Sequence, residues 1–136
     1  MDDILDALRA AVGDRHVLTG EDLEGVARGG TEPEDARATV MVRPGTTDEV
    51  TAVLVACNET RTPVVPLGGG TGLVGATNSS AGEVIVSMER FRAVEVDRGR
   101  SLMVAGAGVA LQQVQEEAAA NDLFFGIDLG ARGSAQ

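Results

Sequence analysis

A dense group of glycines follows the apolar residues Val64 and Val65 and is the part of this sequence best suited to binding a ligand. Four glycines occupy the five positions from Gly68 to Gly72. Glycine permits positive φ angles and lets a ligand approach the backbone closely. Successive amide groups in such a loop form a concave site for an anion. The loop therefore predicts a phosphate-binding site entered from a strand, and the alternative is a tight connection between two strands.

The familiar glycine motifs for phosphate do not fit this loop. Residues 70–75 spell G-x-G-x-x-G, but the dinucleotide fingerprint requires a helix that opens directly from it. Residues 76–82 lack apolar periodicity and are typical of a loop. A P-loop requires a lysine followed by serine or threonine, and the chain contains no lysine. An anion would therefore be held mainly by backbone N–H groups.

A second glycine pair, Gly106 and Gly108, lies between a strand-like segment and a helical pattern. This arrangement is similar to a dinucleotide-binding turn, and Asp128 stands about 20 residues further on, where the ribose-binding acid is expected. Leu111 occupies the third position of the motif, which prefers glycine or alanine. One alternative is therefore a nicotinamide-dependent reductase that uses this turn. The other is that the turn only connects a strand to a helix and needs small residues for packing.

Periodic patterns predict the elements that must position these loops. Helical spacing of apolar residues predicts one helix over 2–12 and another over 109–121. A third helix is predicted to begin after Thr46, which can form a capping box with Glu49. A strand–helix–strand unit makes strands 39–43 and 63–66 parallel neighbours, whereas the later strands are expected to be antiparallel. The predicted strands cover residues 39–43, 63–66, 83–88, 91–97 and 101–105.

Two side chains could act as a base or a nucleophile, but neither has a partner at a catalytic spacing. His16 stands alone in the polar segment 13–38, which we interpret as a surface excursion, and is expected to be solvent-exposed or locally hydrogen-bonded. Cys57 lies on the apolar face that begins at Val50 and continues through Val53 and Leu54, so we expect a small buried hydrophobe. No catalytic residue and no metal site is predicted.

Composition limits the partners and the compartment. The chain has 21 acidic residues, 11 arginines and a net charge of −10, which opposes binding to nucleic acid or to an anionic membrane. No apolar run approaches the ~20 residues of a transmembrane helix. The acidic start is unlike a signal peptide, and the single cysteine fits a reducing compartment. We expect a cytoplasmic protein, or one that faces the cytoplasm.

Five blocks of residues occur in a recognisable order from about Thr39 to Gln136. They are Arg43–Val50, Pro66–Gly75, Ser87–Asp97, Gly106–Val109 with its helix, and Leu123–Ser134. Together they resemble the flavin domain of the vanillyl-alcohol oxidase superfamily, the FAD-binding type shared with p-cresol methylhydroxylase. The last block looks most like the D-2-hydroxyacid dehydrogenases that act on D-lactate, glycolate or D-2-hydroxyglutarate.

The resemblance implies an α/β fold, in which a small parallel βαβ layer stands beside antiparallel strands, as the first part of such a flavin domain. Residues 1–38 would form an N-terminal helix and surface excursion, and residues 39–136 an incomplete FAD-binding domain. The first glycine loop would hold the FAD pyrophosphate. FAD would be noncovalent, because the positions at which some relatives carry an attached histidine are glycine and threonine here. The implied cofactor-binding residues are Pro66, Gly68, Gly69, Gly70, Thr71, Gly72, Leu73, Asp128, Leu129, Gly130, Gly133 and Ser134.

The family also continues beyond the position of Gln136, into the rest of the flavin domain and a substrate domain. The parent enzyme is expected to oxidise a small D-2-hydroxy acid to the 2-oxo acid, with those further segments as partners of this chain. No base or substrate-binding group is assigned within the 136 residues, so we expect the chain alone to be inactive. The alternatives are a noncatalytic FAD-binding module that is whole as it stands, and a remnant that cannot fold alone.

Overall fold

The computed structural model describes residues 2–30 and 32–136. Met1 and Thr31, which fall within the predicted N-terminal segment 1–38, lie outside the described residues. No helix in the described ranges is long and apolar enough to cross a membrane. The elements are α1 (Asp2–Val12), β1 (Val17–Thr19), β2 (Val40–Val42), α2 (Thr47–Glu59), β3 (Val64–Leu67), β4 (Val84–Ser87), β5 (Val94–Asp97), β6 (Leu102–Ala105) and α3 (Leu111–Ala120), with 3₁₀ turns at Asp14–His16, Gly20–Leu23 and Pro33–Asp35.

A four-stranded sheet has the order β1-β2-β4-β3, with β2, β4 and β3 parallel and β1 antiparallel to β2. The prediction that strands 39–43 and 63–66 are neighbours was wrong, because β4 lies between them. The antiparallel direction predicted for strand 83–88 was also wrong. All four residues of β4 are buried, as expected for the central strand of a parallel sheet. The glycine loop itself is the long crossover that parallel strands require.

The antiparallel pair predicted after the sheet is confirmed. β5 and β6 form a separate two-stranded hairpin, in which Val94 pairs with Ala105 and Asp97 pairs with Leu102. The fold is therefore α/β, with a parallel layer and a separate antiparallel pair, as predicted.

Alternate residues of β2 face two different hydrophobic clusters. Val40 and Val42 join the cluster that α1 and α2 form on one face of the sheet, where Leu8 of α1 is fully buried. Met41 faces the other side and packs in a cluster with Ile85 of β4. Helices thus cover one face of the sheet, and strand alternation divides the core into two layers.

The polar segment 13–38 is not only a surface excursion, and that interpretation was wrong in part. β1 extends the sheet, and Leu23 and Ala38 are buried in the cluster around Met41. The segment is polar in composition, but its few apolar residues lie where they cover the second face of the sheet. The division of the chain at residue 38 stays a prediction.

The capping box predicted for α2 is present in modified form. The Thr46 hydroxyl accepts a hydrogen bond from the Glu49 amide at 3.1 Å, and the Glu49 carboxylate accepts one from the Gly45 amide at 2.6 Å. A capping box would direct the second bond to the amide of Thr46 itself. The carboxylate here reaches one residue further back, so it fixes the exit of β2 as well as the start of α2.

The apolar face predicted for α2 is correct at Val53 and Cys57, only half-buried at Val50 and wrong at Leu54. Val53 and Cys57 are buried, but Leu54 is 44% exposed, and Ala56 is buried in its place. Burial raises the pKa of the Cys57 thiol, which therefore stays protonated at neutral pH. The structure confirms Cys57 as a buried apolar side chain, because a reactive cysteine needs a lowered pKa and access to solvent.

We predict that Leu8→Ala lowers the free energy of unfolding by about 2–5 kcal/mol, because it opens a cavity where α1 packs on α2 and the sheet. Leu54→Ala on the exposed side of α2 is the control and should cost about 1 kcal/mol or less. Urea denaturation followed by circular dichroism measures both values. Equal costs for the two variants would mean that α1 does not dock on the sheet.

Candidate functional site

The first glycine loop leaves the carboxyl end of β3, at the sheet edge where the parallel strands β2 and β4 also end. In open α/β sheets this is the edge where ligands bind. The amide groups from Gly68 to Val74 donate no hydrogen bond to another described residue. Gly70 adopts φ +65°, a conformation that side chains with a Cβ disfavour. The loop therefore presents a series of unpaired backbone donors, as an anion-binding concavity requires.

The second glycine-rich loop, residues 126–136, packs directly against the first. A Cβ on Gly69 would overlap the carbonyl oxygen of Ser134, and a Cβ on Gly68 would lie 3.4 Å from the Cβ of Gln136. Only a residue without a side chain fits at Gly69. The structure thus brings two predicted site residues, Gly69 and Ser134, into direct backbone contact although they are far apart in the chain.

The N-terminus of α3 holds the second loop in place. The Leu111 amide donates to the Ala135 carbonyl, and the Gln112 amide donates to the Arg132 carbonyl, each at 2.8 Å. The first amides of a helix have no partner within the helix, so these carbonyls satisfy two of them. α3 therefore fixes the residues that meet the first glycine loop.

The packing of Gly106 and Gly108 argues against the nicotinamide alternative, which stays a prediction. A Cβ on Gly106 would overlap the carbonyl oxygen of Phe91, and one on Gly108 would overlap that of Met88. These glycines are required for close packing between the chain after β4 and the turn before α3. The amides of Leu111 and Gln112 also donate within the protein, so these two donors are not available to a phosphate.

The other predicted site residues lie around the joined loops in more open positions. Pro66 is exposed on the edge strand β3, and Leu73 is 86% exposed. Asp128 forms an exposed ion pair with Arg132, 3.7 Å between Oδ1 and Nη1, which contributes little to stability. Leu129 lines an apolar cavity of about 350 Å³ beside β6 and α3. That these residues contact a cofactor stays a prediction.

The sequence did not predict the residues that hold the end of the first loop at Thr77. The Gly30 amide donates to both the carbonyl and the hydroxyl oxygen of Thr77, at 3.1 Å each. Ser79 is buried, and its hydroxyl accepts from the Ala38 amide at 3.1 Å. The sequence shows Gly29 and Gly30 as a pair in a polar segment, but nothing in it indicates that this pair meets Thr77.

A charged network lies at the ends of β2 and β4. Arg43 pairs with Glu89 and Arg90 pairs with Glu49, each at 3.1 Å. The arginines are thus neutralised by glutamates, so this network is not an anion site. No group of three potential metal ligands occurs within residues 2–30 and 32–136.

His16 borders this network and is held locally, as predicted. Its Nε2 accepts a hydrogen bond from Arg15 Nε at 3.1 Å. Burial, followed by the guanidinium groups of Arg90, Arg15 and Arg43, lowers the pKa of His16 below 6.5. His16 is therefore neutral at neutral pH and has no contact with either glycine loop among the described hydrogen bonds.

Comparison with known protein families gives a match over residues 38–136 to the FAD binding domain family. D-lactate dehydrogenase of Archaeoglobus fulgidus is 37% identical over 93 residues, which is 68% of this chain and 21% of that protein. D-2-hydroxyglutarate dehydrogenase of Xanthomonas citri pv. viticola is 36% identical over 119 residues, which is 83% of this chain and 24% of that protein. The chain thus spans about a fifth to a quarter of the lengths of these relatives.

Solved structures share the fold at low sequence identity. Alkyldihydroxyacetonephosphate synthase superposes with a TM-score of 0.85 at 17% identity, covering 99% of this chain and 30% of that one. Substrate-bound p-cresol methylhydroxylase superposes with a TM-score of 0.74 at 21% identity, covering 90% of this chain and 25% of that one. The predicted resemblance to the flavin domain shared with p-cresol methylhydroxylase is confirmed at the level of the fold.

We predict that Gly69→Ala separates the two glycine loops, because the new methyl group overlaps the Ser134 carbonyl. The free energy of unfolding should fall by about 1–3 kcal/mol, as in other overpacked sites. Amide resonances of residues 134–136 should shift in two-dimensional NMR spectra. Gly72→Ala is the matched control, since no atom lies within 4 Å of its Cβ position. Unchanged resonances at 134–136 in Gly69→Ala would contradict the contact.

Proposed function

The chain belongs to the FAD-binding domain family, and from this premise we propose that it binds FAD noncovalently as part of a flavin-dependent oxidoreductase. The observation that carries the proposal is the contact of Gly69 with Ser134, which joins two glycine-rich loops at the carboxyl edge of a parallel sheet. A ligand with a long phosphate-bearing chain can contact both loops at once.

The chemistry of the first loop fits a pyrophosphate. The amides from Gly68 to Val74 have no partner among the described residues, and the chain has no lysine to supply a point charge. Backbone donors in a nest can bind an anion without a cationic side chain. Gly72 leaves open space at its Cβ position, so a phosphate oxygen can approach the backbone there.

The composition of both loops supports noncovalent binding. Residues 68–75 and 126–136 contain no histidine, cysteine or tyrosine, the residue types with a nucleophilic side chain suited to linkage with a flavin. His16 is neutral and bonded to Arg15, and Cys57 is a buried thiol with a raised pKa. The joined loops themselves therefore offer no group for covalent attachment.

We propose small D-2-hydroxy acids, of the D-lactate, glycolate or D-2-hydroxyglutarate type, as the substrates of the whole protein. The support is the names of the relatives, D-lactate dehydrogenase and D-2-hydroxyglutarate dehydrogenase. FAD, when bound, supplies the acceptor for the hydride that leaves C2 of such a substrate. Within the described residues the chain's part is to bind and orient the cofactor, since Asp128, the acid of the second loop, pairs with Arg132 at the surface.

We predict that the purified chain, incubated with excess FAD and then separated from free cofactor, retains a flavin absorption band altered by the protein. Gly70→Val should weaken FAD binding at least about tenfold, because a β-branched residue is strained at φ +65°. Gly25→Val carries the same β-branched residue at φ +72°, has no atom within 4 Å of its Cβ position and lies outside both glycine loops, so its FAD affinity should stay within about threefold of that of the unchanged chain. A folded chain that retains no flavin would overturn the proposal that residues 1–136 suffice for binding.

We further predict that the FAD-loaded chain is not reduced by D-lactate, glycolate or D-2-hydroxyglutarate under anaerobic conditions. Asp128, the one carboxylate in the two loops, is exposed and paired with Arg132, so we expect no group there to take a proton from a hydroxy acid. Loss of the flavin absorption band is the measurement, and reduction by dithionite is the control for a competent flavin. Bleaching by one of these acids would place catalytic groups within the 136 residues and contradict the proposed division of labour.

A further inference from the structure

The first glycine loop is held at its far end by a segment that precedes the region of the family match. Gly30, Asp35 and Arg37 bond to Thr77 or Ser79, whereas the match to the FAD-binding domain family begins at residue 38. We name the contacts of Gly29, Gly30, Thr77 and Ser79 the loop anchor. Its residues lie outside the set that the family resemblance assigns to the cofactor.

Several backbone hydrogen bonds fix Thr77 and Ser79. The Gly30 amide donates to the carbonyl and hydroxyl oxygens of Thr77, and the Ser79 amide donates to the Asp35 carbonyl at 2.7 Å. The Ser79 carbonyl accepts from the Arg37 amide at 3.0 Å. Ser79 is 3% exposed, so the end of the anchor is shielded from water, where hydrogen bonds contribute most to a fixed conformation.

Gly29 lies against Thr77 and near Gly70, two residues of the first glycine loop that are seven positions apart. A Cβ on Gly29 would lie 2.7 Å from the Cβ of Thr77 and 2.9 Å from its carbonyl oxygen, so Gly29 and Thr77 are in close contact. At the other end, a Cβ on Gly70 would lie 3.9 Å from the Cα of Gly29. Gly29 therefore lies close to both Gly70 and Thr77 of the same loop.

We propose that the loop anchor positions the phosphate-binding loop and thereby sets its affinity for the cofactor. Since β3 fixes one end and the anchor fixes the other, the amides from Gly68 to Val74 are held in place before a ligand arrives. A donor array that is already ordered loses less conformational entropy on binding. This inference rests on the proposed FAD site, but the order of the loop can be measured without any cofactor.

Gly29→Ala and Gly25→Ala form a matched pair that tests the anchor. Both residues have a positive φ, +76° at Gly29 and +72° at Gly25, but no atom lies within 4 Å of the Cβ position of Gly25. Both variants therefore carry the same backbone strain, and only Gly29→Ala displaces Thr77. We expect FAD to bind about tenfold more weakly to Gly29→Ala and to change less than about twofold for Gly25→Ala.

Thr77→Val and Thr77→Ser test the same contact with less risk of unfolding. Valine keeps the shape and removes the hydroxyl that accepts from Gly30, so FAD affinity should fall about threefold. Serine keeps the hydroxyl and should restore an affinity close to that of the unchanged chain. A role confined to packing would instead make Thr77→Ser, which loses a methyl group, the weaker binder of the two.

Backbone ¹⁵N relaxation of Gly68–Val74 in the cofactor-free chain is the second readout. We expect Gly29→Ala and Thr77→Val to lower the order parameters of these amides, and Gly25→Ala and Thr77→Ser to leave them unchanged. Identical order and affinity in Gly29→Ala and Gly25→Ala would overturn the inference. If the unchanged chain binds no FAD, the proposed function fails for this chain, while the relaxation data still decide whether the anchor orders the loop.

Discussion

The contact between Gly69 and the Ser134 carbonyl is the constraint on which the candidate site depends. A side chain at position 69 would overlap the second loop, so glycine is required by packing at this point and not only by the backbone angle. The carbonyls of Arg132 and Ala135 are in turn bonded to the first amides of α3. The helix, the second loop and the first loop therefore form one connected unit.

The charge of the chain explains why backbone N–H groups, and not cationic side chains, would bind a phosphate. With a net charge of −10, the protein repels an anion at long range, although salt screens that repulsion beyond about 8 Å. Lysine is absent, and the arginines nearest the strand ends are paired with glutamates. Affinity for a phosphate group must then come from short-range N–H donors. Such donors act at full strength only when they are already aligned, which is why the support at both ends of the loop matters.

Sequence patterns predicted the features that depend on neighbouring residues. The helix start at Thr46 and Glu49, the apolar strands and the glycine loop each have a local cause and were found. The order of the strands was not predicted correctly. β4 lies between β2 and β3, and the choice of the central strand depends on how all the strands pack together. Register and neighbour order are properties of the whole sheet, so the residues of one strand do not predict them.

The candidate site likewise has local features that the sequence predicts and long-range contacts that it does not. The glycine loop was recognised from its own residues, and the second loop was assigned through the family resemblance. The bond from Gly30 to Thr77 joins residues 47 positions apart, and neither residue type is unusual where it stands. Gly29 and Gly30 were interpreted as parts of a surface excursion, because a glycine pair in a polar segment is typical of a turn. Only the folded chain shows that they close the loop.

Titration of the ¹⁵N-labelled chain with FAD, followed by two-dimensional NMR, tests the central claim most directly. We predict that the amide resonances of Gly68–Leu73 shift most, together with those of residues 133–135 in the second loop, where Ser134 and Ala135 pack against Gly69. Resonances of Gly106 and Gly108 should move little, since their amides donate to Ala93 and Phe91 and their close neighbours are Met88 and Phe91. Shifts centred on Gly106–Leu111, with Gly68–Leu73 unaffected, would contradict the claim that the joined glycine loops are the cofactor site.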